Sequence, residues 1–239
     1  MRIIKLDAIP STNDFLKEMA ASGSIEPYTV AFAHSQTRGR GQAGSRWVSE
    51  PGKNLTFSVY VPGSVAFVDK LFGLNVAVTL AVLQVLDTCK VPRLSVKWPN
   101  DILSGNKKMA GILIENLVGQ QINSVVGIGV NVNQRDFDGL PSASSILVET
   151  GIGHNLEKLL QEIVGSVRDN LAILARDQAG LWEQYHRRLY MAGKAAMFED
   201  SGGRFMAVVR GVSAQGQLEL EFEDGNVRCY AVREVRMVY

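Results

Sequence analysis

Lys97-Trp98-Pro99-Asn100-Asp101 leads, after a short gap, into Lys107-Lys108-Met109-Ala110-Gly111-Ile112-Leu113-Ile114-Glu115. Trp-Pro-Asn-Asp is strongly turn-forming, because proline fixes its own φ and the asparagine and aspartate side chains bond to nearby backbone groups. The segment therefore reads as two short strands, Leu94–Lys97 and Met109–Asn116, flanking a loop Trp98–Lys108. Such a corner could be no more than a hairpin. It nevertheless gathers Lys97, Trp98, Asn100 and Asp101 just ahead of a second lysine, Lys108, at a strand entrance.

Outward from this corner the chain alternates strands and helices. Arg2–Asp7 has the alternation of a first strand, and Ser11, Thr12 and Asn13 offer caps for a helix carrying Phe15, Leu16, Met19 and Ala20 on one face. Gly23 is placed to end that helix. Strands follow at Tyr28–His34 and at Asn54–Val61, the latter bounded by Pro51-Gly52 and Pro62-Gly63. The stretch Val65–Leu86 is apolar, but Asp69, Lys70, Asn75, Thr79 and Gln84 leave no run of ~18 apolar residues, so it reads as a long buried helix. Ile122–Val132 is a strand unusual in carrying Gly127 and Gly129, and two amphipathic helices, Leu156–Ala175 and Gly180–Leu189, come after it.

From about Met191 the pattern changes to short alternating strands: Ala195–Phe198, Arg204–Val212, Gln217–Phe222, Val227–Val232 and Val235–Val238. Turns with Gly202-Gly203, Gly216 and Asp224-Gly225 separate them, as in a small β-barrel. The expected architecture is α+β: a mixed β-sheet with flanking helices over residues 1–190, plus a small C-terminal β-barrel over residues 191–239. A unit of about 50 residues is near the lower limit for independent folding, so the barrel is expected to lean on the main domain.

Composition removes several classes of function. Of 239 residues, 46% are hydrophobic and 21% charged, enough apolar material for a core, and Lys+Arg of 25 against Asp+Glu of 24 gives a net charge of +1. A nucleic-acid partner is not expected from so balanced a chain. Cys89 and Cys229 are far apart with no C-x-x-C spacing, which points to reduced thiols in a cytosol. His34, His154 and His186 share no metal-ligand spacing, so no protein-only metal site is expected. The N-terminus shows no signal peptide and no segment suggests a membrane, which leaves a cytoplasmic location.

Gly39-Arg40-Gly41-Gln42-Ala43-Gly44 satisfies G-x-G-x-x-G literally, but the chain runs on through Ser45–Glu50 into Pro51-Gly52, leaving little room for the helix that a dinucleotide site requires. A P-loop fails because Ser45 stands where lysine is needed, and no kinase H-R-D or D-F-G sequence occurs downstream. What remains is a loop whose backbone N–H groups can approach an anion, with Arg38, Arg40 and Arg46 to supply charge. A flexible surface turn would read the same way, so this loop alone leaves both readings open.

Taken together, Ser11-Thr12-Asn13, Gln36-Thr37-Arg38-Gly39-Arg40-Gly41, Trp47, the Lys97–Asp101 and Lys107–Glu115 segments, and Gly127-Ile128-Gly129-Val130-Asn131-Val132-Asn133 resemble, in order and over nearly the whole chain, the biotin protein ligases. The resemblance implies a class II synthetase-like catalytic domain of the biotin/lipoate ligase type and an SH3-like C-terminal barrel. It is closest to the monofunctional members, those without an N-terminal DNA-binding domain. It implies biotin, ATP and Mg²⁺ as ligands and a biotin carboxyl carrier domain as protein partner. By the same resemblance Ser11, Thr12, Gln36, Gly39, Gly111, Ile112, Gly127 and Gly129 belong to the biotin site. Trp47, Lys97, Asn100, Asp101 and Asn131 belong to the nucleotide side, while Arg40 and Lys108 serve both and carry the chemistry. The loop departs from the family pattern in having Gln42 and Ser45 at two arginine positions, which removes two cations near the expected adenylate.

The chemistry suits these residue types. A carboxylate acylates an amine poorly until AMP is made its leaving group, and both substrates are anionic, so fixed cations and backbone N–H groups must stabilise growing negative charge. No enzyme nucleophile is needed. Two rivals remain: a lipoate or octanoate ligase of the same fold, and a non-catalytic biotin-sensing protein, which would have to lack Arg40, Lys108 or Asp101. A homodimer could use Val76–Leu86 or the outer face of Ile122–Val132, although a buried core explains both stretches equally well.

Overall fold

The computed structural model of the protein describes residues 1–65 and 71–238. Seven strands build one mixed sheet: β1 (Ile3–Ile9), β2 (Val30–Gln36), β3 (Leu55–Val65), β4 (Leu94–Lys97), β5 (Asp101–Ser104), β6 (Lys107–Val118) and β7 (Ile122–Val130). Their order is β1-β2-β3-β7-β6-β5-β4, with β1 and β2 parallel and all other neighbours antiparallel.

Helices cover both faces. Helix α1 (Thr12–Ala21), capped by the Ser11 hydroxyl accepting from the Asp14 N–H, packs Leu16 onto Ala31, Tyr60 and Val125. On the other face α2 (Leu71–Thr88), α4 (Leu156–Arg176) and α5 (Gln178–Arg187) pack against Val30, Phe32, Phe57 and Val59. Val30 and Phe32 thus point one way and Ala31 the other, which is why β2 is apolar at successive positions rather than alternating. Buried residues of α2 run from Gly73 to Leu86. That helix is long and apolar enough to cross a membrane by composition, yet 67% of it is buried inside the fold, so its hydropathy is that of a core helix. The apolar stretch Val76–Leu86 faces α4, α5 and the sheet and is not left over for a second subunit.

Three expectations need correction. The loop expected over Trp98–Lys108 contains β5, because Ile102 and Leu103 are buried and pair with β4 and β6. The long helix expected from Val65 begins, within the described residues, at Leu71. Val65 itself ends β3, and residues 66–70 lie outside the described residues. Strand β7 stops at Val130 rather than Val132, and a five-residue helix, α3 (Ile146–Thr150), follows with Ser145 as its cap.

The C-terminal strands β8 (Ala195–Asp200), β9 (Gly203–Val212), β10 (Leu218–Glu221), β11 (Val227–Tyr230) and β12 (Arg236–Met237) form an antiparallel sheet in the order β11-β10-β9-β8-β12, consistent with an SH3-like unit. Its inner residues Phe198, Val209, Leu218, Leu220 and Val235 join the same buried cluster as α2 and α5, so the small sheet has no separate core. Polar contacts fix the junction: Trp98 Nε1 donates to the Gly216 carbonyl at 2.9 Å, and His186 Nε2 lies 3.0 Å from the Val212 carbonyl.

Gly216 has φ +84° and sits against Phe72, where an added Cβ would lie 2.2 Å from the ring. Gly216→Ala should therefore lower stability by about 2–4 kcal/mol, from left-handed backbone strain plus overpacking, measured by urea denaturation. An unchanged midpoint would mean that the junction yields without cost.

Candidate active site

The α1 face of the sheet, away from α1 itself, is the floor of a cavity of about 320 Å³ roofed partly by the C-terminal sheet. The floor is flat because of its register. Gly111 on β6 pairs with Gly129 on β7, which pairs with Thr56 on β3, and Gly127 pairs with Leu113 and Ser58. No side chain rises from three of these positions.

Trp47 uses the space. Its indole lies across the Gly111–Gly129 pair so closely that a Cβ at Gly129 would be 2.4 Å from Cε2 and one at Gly111 would be 3.4 Å from Cζ3. Trp47 is delivered there by the glycine-rich segment, which folds back as a small hairpin: the Gly41 N–H donates to the Ser45 carbonyl at 2.7 Å and the Trp47 N–H to Gly39 at 3.1 Å. The tip is one 3₁₀ turn, Gln42–Gly44, not a helix.

Lys108 reaches the same floor through a β-bulge. Ala110 pairs with Ile102 and Lys108 with Leu103, so Met109 is the extra residue and is buried. Residues three apart on a regular strand point to opposite faces, whereas the bulge turns Lys108 to the side of Gly111. Its backbone is pinned by the Ser142 and Ser144 segment at 2.6 and 3.0 Å. The Lys108 ammonium pairs with Asp101 at 2.6 Å and stands 5.9 Å from the Trp47 ring centroid. Asp101 begins β5 directly after Asn100, which is locked by its side chain donating to the Ile112 carbonyl at 2.6 Å.

At the α1 end a chain of polar groups runs through the wall. The Thr12 N–H and hydroxyl donate to Gln36 Oε1 at 2.7 and 3.0 Å, Ser58 Oγ lies 2.7 Å from Thr12 Oγ1, and Ser58 donates to Asn13 Oδ1 at 2.5 Å. Asn13 Nδ2 donates to Glu115 at 2.7 Å, and Glu115 pairs with Lys17 at 2.8 Å and Arg40 at 3.1 Å. Arg40 also pairs with Asp14 at 2.6 Å.

Titration follows this geometry. Burial pushes the Lys97 amine below its ordinary range, against the opposing pull of Asp101 and Tyr190. Partial burial raises the Asp14 carboxyl, but the Lys17 hydrogen bond and the charges of Lys17, Arg40 and Arg38 outweigh it and hold it low. Burial likewise works against the Lys17 ammonium, and Asp14 and Glu115 carry its pKa upward.

Thirteen of the fifteen residues expected at the site line the cavity: Ser11, Thr12, Gln36, Arg40, Trp47, Lys97, Asn100, Asp101, Lys108, Gly111, Ile112, Gly127 and Gly129. Gly39 does not line it; it lets the hairpin close, since a Cβ there would lie 2.5 Å from the Trp47 carbonyl. Asn131 is also behind the lining, where its side chain donates to the Lys108 carbonyl at 3.3 Å. Sequence reasoning assigned no site role to Asn13, Ser58 or Glu115, nor to Arg233 in the turn before β12 and Arg236 in β12, which also line or support the cavity. One signal for Asn13 was present in Gly127, where a Cβ would lie 2.5 Å from Asn13 Oδ1.

Three comparisons with known proteins bear on this site. The model of the Biotin/lipoate A/B protein ligase family matches residues 6–133. A biotin–[acetyl-CoA-carboxylase] ligase of Mycobacterium tuberculosis is 31% identical over 215 residues, covering 88% of this chain and 80% of that protein. The bifunctional ligase/repressor BirA of Escherichia coli is 27% identical over 245 residues, covering 97% of this chain and 73% of its own length. The structure of biotin protein ligase from Aquifex aeolicus in complex with biotin and ATP superposes with a TM-score of 0.84 at 25% identity, over 99% of this chain and 98% of that one.

Gly129→Ala should drive the Trp47 indole off the floor. The expected result is a red shift of tryptophan emission relative to the parent, with Trp98 and Trp182 unaffected. The check is the same substitution in a Trp47→Phe background, where the shift should vanish; a shift that persists there would locate the disturbance elsewhere.

Proposed function

The chain belongs to the biotin/lipoate A/B protein ligase family, and from that premise we propose that its cavity joins biotin to ATP and hands the biotinyl group to a lysine of a carboxylase carrier domain. The enzyme is an ATP-dependent biotin–protein ligase. The observation that carries the assignment is the meeting of Lys108, Asp101 and Trp47 over the Gly111–Gly129 floor, an anion-binding ammonium beside an aromatic plate.

In the first step the biotin carboxylate oxygen attacks the α-phosphorus of ATP, an acyl–phosphate bond forms and pyrophosphate leaves. In the second the carrier lysine amine attacks the acyl carbon, the carbon–oxygen bond to AMP breaks so that AMP leaves with the bonding pair, and the amine gives up its proton to solvent water. Lys108 holds the carboxylate and α-phosphate together by exchanging Asp101 for them, which offsets the repulsion between two anions. Trp47 stacks the adenine, Thr12, Ser11 and Gln36 bond the ureido end, and Arg40 adds charge at the closing hairpin. Lys97 and Asn100 lie on the nucleotide side, and Asn131 acts through Lys108 by holding its backbone.

Asp101 is the carboxylate in the cavity lining, and among the described residues no three His, Cys, Asp or Glu side chains cluster as metal ligands. Asp101 would hold Mg²⁺ arriving with ATP, a hard cation suited to carboxylate and phosphate oxygens. When bound it neutralises phosphate charge. We place the reaction in the cytoplasm, in keeping with two unpaired thiols, Cys89 and Cys229.

Incubation with ATP, Mg²⁺ and an apo carrier domain, supplying either biotin or lipoate, should give an ATP-dependent biotin-sized mass gain on the carrier. A lipoate-sized gain would overturn the substrate, and no gain with either acid would favour a sensing protein. Lys108→Ala should slow adenylate formation by at least ~10²-fold, comparable to losing one oxyanion donor; a near-normal rate would remove Lys108 from the chemistry.

A further inference from the structure

The glycine-rich hairpin contributes Arg40, Gly41, Gln42, Ser45 and Trp47 to the cavity wall, yet the Arg40 guanidinium does not lie free in that cavity. It reaches out of the hairpin to two carboxylates on two other elements, Asp14 on α1 at 2.6 Å and Glu115 on β6 at 3.1 Å. We propose that Glu115 and Asp14 are positioning residues whose carboxylates seat Arg40 and so hold the glycine-rich hairpin over the cavity before any ligand arrives.

Glu115 is suited to the task because its own position is fixed from the sheet outward. Its Oε2 accepts from Asn13 at 2.7 Å, Asn13 is held by Ser58 at 2.5 Å, and Asn13 fits only because Gly127 has no side chain. Lys17 bonds both carboxylates, at 2.8 Å each, so the group carries two negative and two positive charges and needs no counterion from solvent. Asp14 and Arg40 are each 42% exposed, and an exposed ion pair alone is weak. Two carboxylates converging on one guanidinium, one of them anchored to the sheet interior, resist displacement better than an isolated surface pair.

The charge balance has a further consequence. An anionic ligand must either leave Arg40 on its seat and use the hairpin backbone N–H groups, or draw the guanidinium away and leave Asp14 and Glu115 with Lys17 alone. Either way, the seat decides how readily the hairpin opens.

The hairpin carries three exposed tryptic sites, Arg38, Arg40 and Arg46, so its opening can be read without any ligand. In ligand-free protein, Asp14→Asn combined with Glu115→Gln, which keeps shape and removes charge, should speed cleavage at these bonds about 5–10-fold with the melting temperature of the whole protein unchanged. Each single substitution should give an intermediate rate. Cleavage at the parental rate in the double variant would overturn the proposal, as would a fall in melting temperature that accounts for the increase.

The consequence for catalysis rests on the functional reading above and is read separately. With biotin, ATP and Mg²⁺, the double variant should form adenylate at close to the parental rate but release it several-fold faster. Slower formation with unchanged release would overturn positioning in favour of a direct role. If the parent protein makes no adenylate, the functional reading fails while the cleavage result still decides the seat.

Discussion

Along the centre of the main sheet, the hydrogen-bonded neighbours Gly111 and Gly129 and the nearby Gly127 carry no side chains where one face would otherwise be covered. The rest of the site depends on that bare strip. It admits the Trp47 indole within van der Waals contact of the backbone and gives Asn13 a place to lie. It also leaves an open floor where a neighbouring helix would normally pack. Glycine in a strand interior weakens the strand. Here the cost is borne where β7 is hydrogen-bonded on both edges, by β3 and β6, and where Val126, Ile128 and Val130 on its other face are buried in the main core.

Electrostatics in the cavity follow a common pattern at the two cations that carry the chemistry: each has a carboxylate partner. Lys108 is held by Asp101, and Arg40 by Asp14 and Glu115. An unpaired ammonium near an apolar floor would lose hydration without compensation. Pairing removes that cost while leaving the charges exchangeable, since a phosphate or carboxylate ligand offers the cation the same kind of partner. The arrangement is preorganised for an anion without presenting bare positive charge, which agrees with a reaction driven by positioning and charge stabilisation rather than by a protein nucleophile.

The C-terminal sheet is bound to this arrangement by shared burial. Its inner residues lie in one cluster with α2 and α5, and Trp98, in the turn that sets up Asn100 and Asp101, donates its indole proton to Gly216 of the small sheet. Val232, Arg233, Arg236 and Met237 then reach the cavity mouth. Movement of the small sheet would therefore act on the Trp98–Asp101 turn directly.

The sequence alone determined the order and kind of most elements and the change from an α/β pattern to short strands near residue 191, while its resemblance to the biotin protein ligases named thirteen residues that line the cavity. Those features are local: side-chain periodicity, capping groups such as Ser11, turn residues such as Pro99 and Asn100, and contiguous motifs each fit within a few residues. Tertiary structure decided the rest, because it depends on atoms far apart in the chain. Strand β5 was hidden among turn formers and is fixed only by burial of Ile102 and Leu103. Register made Gly111 and Gly129 neighbours, and the bulge at Met109 swung Lys108 to their side, neither of which a linear pattern records. Asn13 and Glu115 stand 102 positions apart and meet only because α1, packed over β2, β3 and β7, brings its first turn to the edge of β6. Whether Arg40 faces a ligand or a carboxylate is a matter of which charges the fold places in ion-pair reach, here Asp14 and Glu115, and no spacing in the sequence fixes that.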